Sequence, residues 1–188
     1  SAIFLTAMTA LTVGLLDTGP EAWVASSLEN VYPDSPRGEA AQVRLHMARG
    51  EHESFQLCLR AGEERIEGLA VETDDLHEGI PAPDVLRVAY ADLGKASPRA
   101  HGEGPIRPDP LVPFYSAPEK RAINVPPGTT VALWVTYHTA PETPAGVYQG
   151  EIRIGPEDGH MTRIPVTIEV FGGSYGSPLR FQAVAPLD

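Results

Sequence analysis

The chain has 188 residues, enough for one domain with a real core, and its 42% hydrophobic and 21% charged content is that of a globular protein, not a disordered one. Fourteen basic against 25 acidic side chains leave a net charge of −11, which argues against nucleic acid or an anionic membrane as partner. Cys58 is the only cysteine, so a disulfide framework and a thiolate metal cluster are both excluded.

Nineteen prolines and eighteen glycines without a collagen-like repeat suit an all-β protein with many turns. Ser1 to Leu16 carries no charge, and Ile3 to Leu16 has the length of a signal-peptide apolar region. It lacks a basic leader and a clean cleavage site, and it is too short to span a bilayer comfortably. It is either an export signal, which implies an extracellular or periplasmic location, or a first core strand. No other stretch is a candidate membrane span.

Ala22 to Ser26 reads as a short strand, and Leu28 to Gly38, with Asn30, Pro33, Asp34 and Pro36, as a loop. Gln42 to Ala48 alternates, with Val43, Leu45 and Met47 on one side and Arg44 and His46 on the other. Arg49-Gly-Glu-His52 is a turn. Glu53 to Arg60 follows, with Phe55, Leu57 and Leu59 on one face and Gln56, Cys58 and Arg60 on its reverse. A link this short predicts a hairpin. Within this strand Cys58 is expected to be a buried, inert thiol.

Ile66 to Thr73 and Val85 to Leu93 are two further strands, and the inward face of the second is expected to be Leu86, Val88 and Tyr90. From Gly94 to Pro127 repeated prolines break any periodicity, which predicts one long irregular loop, a feature usually tied to function or to an interface. Val131 to His138 alternates cleanly: Val131, Leu133, Val135 and Tyr137 oppose Ala132, Trp134, Thr136 and His138. Pro141, Pro144 and Gly146 end it, and Val147 to Ile154 and Met161 to Phe171 complete the set. About eight strands and no amphipathic helix predict an antiparallel β-sandwich, immunoglobulin-like or jelly-roll-like. Residues 1–20 stand apart as the export-signal remnant or first strand, 21–172 form the sandwich, and the Gly/Ser-rich 173–188 is a linker toward a further C-terminal domain.

No nucleophile elbow, P-loop, dinucleotide fingerprint or H-E-x-x-H is present. The six histidines are scattered without metal-ligand spacing. Glu51 and Glu53 flank His52, but such a pair at a hairpin end is expected to be solvated. Asp74, Asp75 and Asp109 lack the spacing of a calcium loop. No catalytic residue, metal or cofactor is expected. Trp134, which shares a strand face with Thr136 and His138, either packs against core or a neighbouring domain or offers a platform to a sugar ring. Tyr115 is a second candidate platform.

Three stretches carry a family resemblance: Ala48-Arg-Gly-Glu-His-Glu-Ser-Phe-Gln-Leu57, Pro108-Asp-Pro-Leu-Val-Pro113, and Leu133-Trp-Val-Thr-Tyr137 with Pro144-Ala-Gly-Val-Tyr-Gln-Gly-Glu-Ile152. They resemble the N-terminal β-sandwich of the glycoside hydrolase family 123 group, which includes β-N-acetylgalactosaminidases. Gly50 stands where relatives often carry Asn, and both residues tolerate the positive φ of a tight turn. In that family catalysis resides in a C-terminal (β/α)8 barrel, and its Asp–Glu pair has no counterpart here. The resemblance implies a non-catalytic accessory domain whose partner is a downstream barrel of the same polypeptide. Asp109, Pro110, Leu111, Val112, Pro113 and Phe114 are the expected interface with it. Two alternatives remain: a carbohydrate-binding module that takes glycans at Trp134, His138 or Tyr115, or a ligand-free spacer or adhesion domain of a secreted protein.

Overall fold

A computed structural model describes residues 20–92, 94, 106–114 and 123–174. The described residues form ten strands and no helix: β1 Glu21–Ser26, β2 Val43–Arg49, β3 His52–Arg60, β4 Ile66–Thr73, β5 Asp84–Asp92, β6 Ile106–Pro113, β7 Ile123–Val125, β8 Thr130–His138, β9 Gly146–Pro156 and β10 Thr162–Ser174. They build two five-stranded sheets, ordered β1-β3-β8-β5-β6 and β2-β10-β9-β4-β7. The expected all-β sandwich is what the chain adopts.

The core lies between the sheets and follows the alternation. Phe55, Leu57 and Leu59 of β3 and Leu133, Val135 and Tyr137 of β8 meet Ile152 and Ile154 of β9 and Ile164, Val166 and Ile168 of β10. Burying each such aliphatic side chain is worth roughly 1.5–3 kcal/mol relative to leaving it exposed. A strand whose every second residue is apolar gains this from one face only, which is why the pattern fixes the register.

Five sequence expectations change. The proposed hairpin of β2 and β3 does not form, because the two strands lie in different sheets. At Arg49–His52 the chain crosses the sandwich instead of doubling back. Gly50 takes φ 76° there, the Ala48 N–H donates to Glu51 Oε2 at 2.6 Å, and the Thr139 hydroxyl donates to the Ala48 carbonyl at 2.7 Å. Glu51 is thus a turn-capping residue and not an idle solvated carboxylate.

The sheets are also not wholly antiparallel: β2 pairs parallel to β10, with Val43 opposite Val166 and Met47 opposite Val170. The stretch 94–127 is not one irregular loop, since β6 and β7 lie within it and β6 pairs with β5. Finally, Leu86, Val88 and Tyr90 do not face the main core. Leu86 sits opposite Trp134, on the outer face of the first sheet, and it is Val85 that packs against the inter-sheet core.

That outer face is itself covered. Trp23, Ala25, Val31, Cys58, Val88 and Ala132 form a second, smaller cluster, with Trp134 packed against it. Its lid is the connection between β1 and β2. The Val24 N–H donates to the Ala40 carbonyl at 2.7 Å and the Thr130 N–H to the Pro33 carbonyl at 2.8 Å. The Thr130 hydroxyl reaches the Ser35 carbonyl at 2.7 Å, and the Tyr90 hydroxyl reaches the Val31 carbonyl at 3.0 Å. Gly38 passes so close to the Trp23 ring that a Cβ there would overlap it. The strand β10 continues through Gly172 to Ser174, and residues 175–188 and 1–19 lie outside the described residues.

Candidate functional site

The register of β3 and β8 lines up a row of outer-face pairs: Cys58 with Ala132, Gln56 with Trp134, Ser54 with Thr136 and His52 with His138. Ser54 and Thr136 hydroxyls bond at 2.8 Å, and the two imidazoles stack with centroids 5.4 Å apart and planes 22° from parallel. The distinctive stretch Ala48–Leu57 is therefore explained as scaffold. Glu51 caps the crossing turn, His52 and Ser54 pair across strands, and Phe55 and Leu57 enter the core.

Gln56 does something different. It is 2% exposed, and its amide N–H groups donate to the Ser26 carbonyl at 2.8 Å and the Glu29 carbonyl at 2.7 Å. It pins the Ser26–Glu29 turn onto the sheet. Burying an amide is tolerated only when its polar atoms find partners. Here the two donors are satisfied and the carbonyl oxygen is left as an acceptor.

Beside this turn lies a cleft of about 230 Å³, bounded by Ser27, Glu29 and Asn30 on one side, Pro108, Asp109 and Leu111 of β6 on the other, and floored by Gln56, Val88 and Trp134. The structure thus joins Trp134 to two of the interface candidates, Asp109 and Leu111. It does not bring in His138, which lies further along β8 on its stacked partner His52. Tyr115 lies outside the described residues. Of the remaining candidates, Pro110 and Pro113 are exposed, Val112 is half-buried, and Phe114 is buried in the main core. Sequence reasoning missed Glu29, Asn30 and Gln56. Asn30 is legible only as a turn residue, and nothing in the local pattern links it to the distant strands that carry Asp109 and Trp134.

A wider hollow of about 960 Å³ runs along the seam of the sandwich between β1 and β2, lined by Val24, Val43, Leu45, Glu53 and Phe55 among others. It also carries Ser26, Ser27, Glu39, Gln42, Arg44 and Ser54, but its one aromatic residue, Phe55, is buried in the core and offers no open ring face. Among the described residues there is no cluster of three or more potential metal ligands. Asp75 is used structurally, accepting from the Ala82 N–H at 2.7 Å. Burial, with a smaller contribution from Glu29, pushes the Cys58 thiol up to about 12, so it is no nucleophile at neutral pH. Tyr90 is likewise pushed up to about 12, by burial first and by Cys58 second. Burial and then Asp74 raise Tyr137 as well.

The fold defines a two-sheet sandwich with one face of one sheet roofed over. No protein-family model and no curated protein matches the sequence. Among solved structures the chain is similar to part of a family 123 glycoside hydrolase from Clostridium perfringens, studied for glycolipid glycan hydrolysis. The TM-score is 0.61 at 14% identity, covering 81% of this chain and 27% of that one. This chain therefore spans about a quarter of that structure, and at such identity the likeness is one of fold. A putative membrane anchored protein from Corynebacterium diphtheriae (TM-score 0.38, 12% identity, 92% of this chain and 40% of that one) is more distant. So is a type I cohesin–dockerin structure from Clostridium thermocellum (TM-score 0.32, 7% identity, 81% and 99%).

Proposed function

We propose that the chain is a non-catalytic accessory sandwich of a carbohydrate-active enzyme, supporting a (β/α)8 catalytic barrel of the same polypeptide. The observation that carries this reading is the superposition of most of this chain on about a quarter of a family 123 glycoside hydrolase. The docking surface is the edge strand β6. Ile106 is an exposed apolar residue there, and Pro110 and Pro113 stand exposed on the same strand. Prolines on an edge cannot donate to another strand, so β6 is protected against edge-to-edge pairing and offers side chains instead. Their fixed φ also lowers the entropy lost on docking.

Two measurements test the reading. The purified chain should release no product from an aryl N-acetylgalactosaminide or a glycolipid glycan, and turnover by it would overturn the proposal. The coding sequence after Asp188 should continue for a barrel's length; further sandwiches in its place would favour a spacer domain.

A further inference from the structure

We propose that the cleft between the Ser27–Asn30 turn and β6 binds a single uncharged pyranose residue. The inference rests on the accessory-domain reading only for where such a ligand would be met, since a domain beside a glycoside hydrolase is presented with glycans. The binding chemistry itself comes from the cleft.

Trp134 is half-buried: part of it packs on the outer cluster and part lines the cleft. An indole surface, with Val88, Leu111 and Pro108 beside it, suits the C–H face of a sugar ring. The polar groups around it are mostly acceptors, with the Asn30 amide and the Ser27 hydroxyl as donors. The Gln56 amide is oriented by its two donated bonds, which leaves its oxygen available. The side chains of Glu29, Asn30 and Asp109, which share the lining, have no hydrogen-bond or ion-pair partner among the described residues. A rim with several acceptors and a few donors, open to water at Glu29, Asn30 and Asp109, suits ring hydroxyls, which both donate and accept.

The lining contains no lysine, arginine or histidine, so a phosphate, sulfate or uronate would meet two carboxylates and nothing to neutralise it. An organic ammonium would satisfy the carboxylates and the indole, but would leave the Gln56 and Asn30 acceptors unused. At about 230 Å³, the cleft falls below the roughly 300–1,000 Å³ of sites for drug-sized ligands. One ring fits, not a chain. Leu111, 42% exposed, stands at its margin.

The test titrates the whole chain with glucose, galactose, N-acetylglucosamine, N-acetylgalactosamine, glucuronate and tetramethylammonium, followed by tryptophan fluorescence and by amide NMR shifts. At least one neutral sugar should saturate with Kd on the order of 1 mM, as expected for a ligand of that size. Glucuronate should bind at least about tenfold more weakly. Asp109→Ala, at an exposed position, should weaken binding about tenfold or more with an unchanged far-UV spectrum, and Trp134→Ala should abolish it. The proposal is overturned if no neutral sugar saturates, if only tetramethylammonium binds, or if binding survives both substitutions. A failed titration leaves the accessory-domain reading standing, because that reading is judged by turnover and by the coding sequence.

Discussion

Each face of the first sheet carries a buried cluster, yet the two are held by different physics. On the inner face β3 and β8 meet another sheet, and almost every contact is aliphatic or aromatic. The outer face meets a strand-free connection, Ser27 to Gln42, whose own apolar contribution to the cluster is Val31. That cover is fastened by side-chain bonds to backbone carbonyls from Gln56, Arg60, Tyr90 and Thr130. The inner face gains stability through area and the outer through a few directional bonds. The second arrangement leaves a gap at its margin, and that gap is the Trp134 cleft.

Substitutions can break this comparison. Leu133→Ala, at a fully buried inner position, should cost about 2–5 kcal/mol, read as a lower urea midpoint. Gly38→Ala should cost about 1–3 kcal/mol, because the added methyl overlaps the Trp23 ring. Both tryptophans, Trp23 and Trp134, belong to the outer layer, so fluorescence reports that layer while far-UV dichroism reports the sheets. Coincident transitions in Gly38→Ala would make the two faces one cooperative unit; an earlier fluorescence transition would separate them.

Tyr90→Phe removes the hydroxyl bond to the Val31 carbonyl and should cost about 0.5–1.5 kcal/mol. Faster amide exchange should follow in the cover but not in β9 or β10.

Alkaline pH probes the same layer without a substitution. Cys58 and Tyr90 rise from 9.0 and 10.0 to about 12 in the folded chain. The folded state therefore keeps protons that the unfolded state has released. Stability is complete below pH 9 and falls as pH climbs toward 12. Urea midpoints at about pH 8 and about pH 10.5 should show the fall, and Cys58→Ala should reduce it. Both groups lie in the outer layer, so the inner face should contribute to this loss only through Tyr137.

Much of the strand pattern was legible because one face of each strand is plainly apolar. Val131 to Tyr137 and Ile164 to Val170 are buried on the faces the alternation predicts. The pattern failed where both faces are buried. In β3, Phe55 through Leu59 are all inaccessible, so alternation alone could not show that Gln56 and Cys58 are covered. In β5, Leu86, Val88 and Tyr90 form the more apolar face, which predicts an inward side, but they serve the outer layer. The β2–β3 link looked like a hairpin because connection length carries no information about which sheet receives the next strand. Prolines concealed β6, since a strand needs hydrogen-bond donors only on its paired side. Of the cleft, Trp134, Asp109 and Leu111 were legible singly. Their meeting depends on the pairing of β5 with both β6 and β8, which no local pattern encodes.

The parallel pairing of β2 with β10 sets the order in which this molecule can be assembled. Val43 cannot find Val166 until nearly all of the described chain has been synthesised, and the loop closed by that contact is among the longest in the fold. Contacts of such sequence separation slow folding, because the entropy of closure must be met before any contact rewards it. Until β10 arrives, β2 has no neighbour in its sheet and presents Val43, Leu45 and Met47 to whatever is nearby. A nascent chain halted before β10 should therefore be far more prone to self-association than the finished domain.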